Sequence, residues 1–141
     1  MTDLEIQEVD RKKRYLRRYE KNKALIDRLK KKIINIDVRS KSLRSPKISD
    51  MPRGGTPVSY DDLIAEKDEL QQRVDRLEEK GKMLKAEILE KIDELEDTRY
   101  AEILESLFIE CKSFNMIAEE NDYTERHVIR LYSEAIKIMS I

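Results

Sequence analysis

The chain has 141 residues, of which 42% are charged, 39% apolar and 6% aromatic, with no Trp, so it favours elongated helices with one apolar seam over a large compact core. A single cysteine excludes an internal disulfide and a multi-thiolate zinc site, and apolar runs of only a few residues exclude a signal peptide or membrane span. The net charge of −1 hides an asymmetry: residues 1–58 hold 17 Lys and Arg against 8 Asp and Glu, residues 59–97 hold 7 against 14, and residues 98–141 hold 5 against 8.

From Tyr15 onward, Tyr15, Tyr19, Asn22, Ile26, Leu29, Ile33 and Ile36 recur at alternating spacings of four and three, which is a heptad seam. It predicts a first helix over about 3–44 with a basic exterior. Asn22 is a polar residue within that seam, able to fix register. Pro46, Pro52, Gly54, Gly55 and Pro57 then interrupt the pattern and predict a loop over 45–58, because proline removes amide donors and glycine permits positive φ.

A second helix is predicted over 59–96, with Ser59 capping its first turn and Asp61 and Asp62 at the positive end of its dipole. Leu63, Lys67, Leu70, Val74, Leu77, Gly81, Leu84 and Ile88 continue the alternation, and Ile92 and Leu95 follow one residue out of phase. Gly81 weakens the helix by about 1 kcal/mol unless it serves a close approach of the facing chain. Two seams joined by a turn fold back antiparallel, basic against acidic, giving a long two-helix coiled-coil hairpin over residues 1–97. Leu16, Leu25 and Ile64 would remain as exposed apolar flanks, from which a homodimer is expected.

Glu96-Asp97-Thr98 offers a cap for a third helix, whose apolar face is Tyr100, Ile103, Leu104, Leu107 and Phe108 and which ends near Cys111, read as a small packing residue. Ser113 caps a fourth helix over Phe114 to about Asn121, and Thr124 caps a fifth over Glu125 to about Met139. Ala118 is small where two helices cross, Tyr123 fills the gap behind the turn, and Val128 and Leu131 hold the fifth helix on the fourth. Glu125, Arg126, Ile129, Arg130 and Ser133 would then face outward.

The stretch LFIECKSFNMIAEENDYTERHVIRLYSEAIKIM resembles region 4 of bacterial sigma factors. With ELEDTRY, the tip DMPRGGTP and the overall length, the chain is similar to small phage-encoded sigma-region-4-like regulators of the ArpU and RinA late-transcription families. The resemblance implies an all-α protein with a C-terminal helix-turn-helix over 98–141, double-stranded DNA as partner, a contact with host RNA polymerase, and a place in the cytoplasm of a bacterial host cell. Where that pattern carries Leu-Gly in the turn, this chain has Asn121-Asp122, two residue types that tolerate left-handed backbone.

The DNA-contact candidates are Lys112, Thr124, Glu125, Arg126, His127, Ile129, Arg130, Ser133 and Lys137. Arg126 and Arg130 are assigned to bases or phosphates, and Thr124 to a cap that also reaches phosphate. The lone His127 has no second His or Cys pair to form a metal site, and no catalytic constellation or cofactor motif is present, so an enzyme is not expected. Two rival readings come from other classes. A small-terminase-like packaging component also joins a helix-turn-helix to a hairpin, usually in the opposite order. A non-DNA-binding protein-interaction module, in which the helix-turn-helix is only a trihelical fold, accounts for the acidic balance of 98–141; within the DNA-binding reading, the basic first helix, with Arg11 and Arg14, is the rival surface to the fifth helix.

Overall fold

The computed structural model describes residues 2–44 and 59–141, and all regular structure among them is helical. In chain order the helices are α1 (Asp3–Leu16), α2 (Arg18–Arg44), α3 (Tyr60–Asp93), α4 (Thr98–Phe108), α5 (Phe114–Asn121) and α6 (Glu125–Ile138). The loop expected over 45–58, with its DMPRGGTP tip, lies outside the described residues.

The single first helix expected over 3–44 is instead two, divided at Arg17. At the division Arg17 keeps right-handed backbone and its amide still reaches the Lys13 carbonyl at 3.0 Å, while the Arg18 Nε donates to the Tyr15 carbonyl at 3.0 Å. Helix starts follow the expected caps. The hydroxyl of Ser59 accepts from the Asp62 amide at 3.1 Å, that of Ser113 from Met116 at 3.2 Å, and that of Thr124 from His127 at 3.1 Å; the Asp97 carboxylate accepts from Arg99 at 3.0 Å.

The chain divides into two compact units, Lys23–Glu79 and a discontinuous unit of Met1–Asn22 with Lys80–Ile141. In the first, Ile26, Leu29 and Ile33 of α2 share a core with Val74 of α3, flanked by Leu25, Leu70 and Leu77. Lys30 pairs with Glu78 at 3.1 Å and Asp37 with Lys67 at 2.7 Å, so partners run in opposite order along the two helices. The predicted seam is the buried face, and these exposed pairs set orientation more than stability. Ile34 and Val38, one turn apart on α2, stay exposed.

The second unit holds the larger core. Leu16, Ile88 and Ile92 join Ile103, Leu104 and Phe108 of α4, Ile117 and Ala118 of α5, and Val128, Leu131, Ala135 and Ile136 of α6. Leu16 is therefore no exposed flank: it is 0% accessible, and its burial is worth about 1.5–3 kcal/mol. The expected boundary at 97/98 likewise does not follow the contacts, because α1 and the end of α3 complete the core on which α4 to α6 rest.

Gly81 serves a close approach. A Cβ built there would lie 2.9 Å from the Asn22 side-chain nitrogen and 4.0 Å from Tyr19, and Asn22 is buried at that point. The seam narrows where its polar residue sits.

Candidate functional site

The end of α5 sets the geometry of the site. Asp122 adopts left-handed backbone at φ 55°, its amide donates to the Ala118 carbonyl, and the Tyr123 amide reaches the same oxygen at 2.9 Å. The turn reverses the chain within three residues, and Thr124 starts α6. Ala118, at 4% exposure, allows the two helices to approach, while Val128 and Leu131 are buried against α5 and α4. Tyr123 is half-buried and meets the His127 ring edge-on at a centroid separation of 4.9 Å.

This packing fixes which face of α6 is left to solvent. Asp122, Tyr123, Thr124, Arg126, His127, Ile129 and Arg130 line one open concavity. Arg130 Nη2 lies 2.9 Å from His127 Nδ1. A guanidinium only donates, so in this contact Nδ1 is the acceptor. Arg126 has no carboxylate partner within 4.0 Å among the described residues, and Ile129 is 41% exposed between the two arginines. Such a surface offers cationic donors and one apolar contact to a ligand with anionic and planar parts. Glu125 is exposed in the first turn of α6.

The remaining candidates lie elsewhere in the same unit. Lys112 spends its charge on Glu110 at 2.7 Å and Glu120 at 2.9 Å, and those carboxylates raise its pKa above the ordinary lysine value. Ser133 and Lys137 border a groove shared with Ile6, Val9, Asp10 and Lys13 of α1, so the later half of the outward stripe lies beside that helix. Arg11, one of the two residues named for the rival basic surface, is engaged by Glu8 at 2.8 Å and by the Ile141 carbonyl.

Sequence reasoning missed three features. Cys111 is exposed, with left-handed backbone at φ 57°; it is a turn residue, and the Lys112 amide reaches back over it to the Ser106 carbonyl at 3.0 Å. Accordingly α4 stops at Phe108, short of Cys111. The second is α1, held on α6 by Lys12 Nζ donating to the Lys137 carbonyl at 3.0 Å. The third is Tyr132, whose ring centroid lies 6.1 Å from that of Phe108 and 5.3 Å from that of Phe114, with Lys13 Nζ 5.5 Å from its own. Burial raises the Tyr132 pKa above the ordinary value. Among the described residues no cluster of His, Cys, Asp and Glu could hold a metal ion, and no helix is long and apolar enough to cross a membrane. No protein-family model, curated protein or solved structure matches the chain.

Proposed function

We propose that the chain is a non-enzymatic transcription regulator of a phage or mobile element, binding double-stranded DNA through α6 as the second helix of a helix-turn-helix. In this reading α5 and α6 form the motif, and α2 with α3 forms an antiparallel coiled-coil hairpin that joins two copies. One observation carries it: the tight left-handed turn at Asp122 leads into a helix whose buried face is Val128 and Leu131 and whose outward first turns carry Arg126, Ile129 and Arg130 around one concavity. A helix so presented fits a major groove, where arginine reads guanine edges. The exposed Ile34 and Val38 support the dimer, and the likeness of residues 107–139 to sigma region 4 supports a contact with RNA polymerase.

Selecting bound fragments from random duplex DNA with the full chain tests the reading. A recovered motif with two inverted half-sites, about 10 base pairs apart or a multiple of that, is the expected result for a dimer. Arg126→Ala and Arg130→Ala should each weaken binding to that motif by about 1–3 kcal/mol with helicity unchanged. Val128→Asp buries a charge and should abolish binding together with tertiary structure. A single unrepeated half-site would remove the dimer. Enrichment of no sequence would remove the DNA reading and favour the protein-interaction module, which the acidic balance of residues 98–141 supports.

A further inference from the structure

The two arginines of the α6 concavity are held differently. Arg126 is exposed and has no hydrogen-bond or ion-pair partner among the described residues. Arg130 is exposed as well, yet its Nη2 donates to Nδ1 of His127, one turn earlier on the same helix, at 2.9 Å. His127 is itself fixed from two sides. Its amide donates to the Thr124 hydroxyl at 3.1 Å, and its half-buried ring meets Tyr123 edge-on, at 87° and 4.9 Å between centroids. Tyr123 in turn is half-buried, with its amide tied to the Ala118 carbonyl at 2.9 Å beside the left-handed residue Asp122. A line of direct contacts therefore runs from the turn to one guanidinium, and Tyr123, His127 and Arg130 line the same concavity. The acceptor is a ring nitrogen and not a carboxylate, so Arg130 is oriented with its charge intact. Each terminal guanidinium nitrogen carries two N–H groups, and the bond to Nδ1 leaves one on Nη2 and two on Nη1 for a ligand.

We propose that His127 is a positioning residue for base recognition: braced by Tyr123, its Nδ1 holds the Arg130 guanidinium in place to donate to a guanine edge, and so sets the sequence preference at one base pair of the target. This rests on the reading of α6 given above. Arginine selects guanine by donating to O6 and N7 together, which demands a set orientation of the fork. A loose arginine gives up its rotamer freedom only on the matched base, and against a mismatched one it swings away to a phosphate. Its ordering cost then falls on the cognate complex alone. A guanidinium held beforehand has already lost that freedom, and against the wrong base it must either break its bond to His127 or leave donors unmatched. Both effects widen the gap between right and wrong base.

The test uses the full chain, a mixed-sequence duplex, and duplexes carrying the selected motif with each base pair varied in turn. Arg130→Ala marks the position that Arg130 reads, where the preference for guanine should drop by about 5- to 150-fold. His127→Phe keeps a ring against Tyr123 and removes the acceptor. It should lower the same preference by about 2- to 12-fold, the ordering of one long side chain, and leave the mixed-sequence duplex bound as by the parent. His127→Asn, whose side-chain oxygen can take the place of Nδ1, should bring most of the preference back, which packing alone would not require. Should His127→Phe melt early, the parent decides the matter: spin relaxation of the arginine Nε–H groups should find Arg130 ordered and Arg126 mobile, and equal mobility overturns the proposal. An unchanged preference in His127→Phe also overturns it, as does an equal loss on every duplex, the mark of His127 touching phosphate itself, or no recovery in His127→Asn. If Arg130→Ala relaxes a position that His127→Phe leaves intact, only this inference falls; if the parent enriches no sequence, the reading of α6 falls with it.

Discussion

Two residues with left-handed backbone bracket α5, Cys111 before it and Asp122 after it. An L-residue in that conformation brings Cβ against the following carbonyl, a strain that Asp bears better than Cys because its short polar side chain bonds locally. Replacing either by glycine relieves the contact. Cys111→Gly should stabilise the chain by about 0.5–1 kcal/mol, and Asp122→Gly by about half as much, after allowance for glycine's larger unfolded-state entropy. Urea unfolding measures both, and an unchanged or lower midpoint for Cys111→Gly would mean that the turn holds no strain. The difference in legibility has the same origin. Asn121-Asp122 lies between two amphipathic segments and is a turn dipeptide by type, whereas nothing about a cysteine marks it as left-handed. Arg126 and Arg130 were legible because the apolar positions of α6 leave them no other face; the engagement of Lys112 was not, since Glu120 is eight positions away.

Among elements, the clearest tie within the discontinuous unit joins the α1–α2 junction to α3. The Tyr15 hydroxyl donates to Glu87 Oε1 at 2.9 Å, and Arg18, stacked at 4.0 Å over the Tyr15 ring, lies 3.2 Å from Oε2. The Tyr15 hydroxyl, with the Arg18 charge behind it, holds the Glu87 carboxyl below its ordinary pKa. A carboxyl depressed in the folded state contributes stability above its unfolded pKa, about 4.3 for Glu, and loses it as the pH falls through the folded value. Glu87→Gln should therefore melt below the parent near neutral pH, and the gap between them should close as the pH drops below ~4. Thermal melts across that range check it, and a constant gap would remove the linkage. Glu8 and Asp97 shift in the same direction, so the comparison has to be made as this difference. Heptad spacing made the α2–α3 seam legible down to Asn22 facing Gly81. It could not reveal the break at Arg17 or the seat of α1, because Leu16 lies outside the repeat and contacts beyond one helix pair leave no periodicity.

At the scale of the whole molecule, the discontinuous unit is assembled from chain segments far apart in sequence. Lys12 meets Lys137 across 125 positions, and Arg11 meets Ile141 across 130, while Lys30 and Glu78 find each other within the 57 residues of the other unit. Closing a short span costs less entropy than closing a long one, and a paired α2 and α3 shortens the remaining span. Pulse-labelled hydrogen exchange during refolding should therefore show protection at Ile26 to Ile33 before Arg11 to Leu16; simultaneous protection would contradict this order. The consequence is one of timing. At roughly 5–20 residues per second, a ribosome emits α1 on the order of ten seconds before α6 exists to receive it. During that interval Leu16 and Val9 are uncovered, and the newborn protein carries an unpartnered amphipathic helix whose final place depends on residues made more than a hundred positions later.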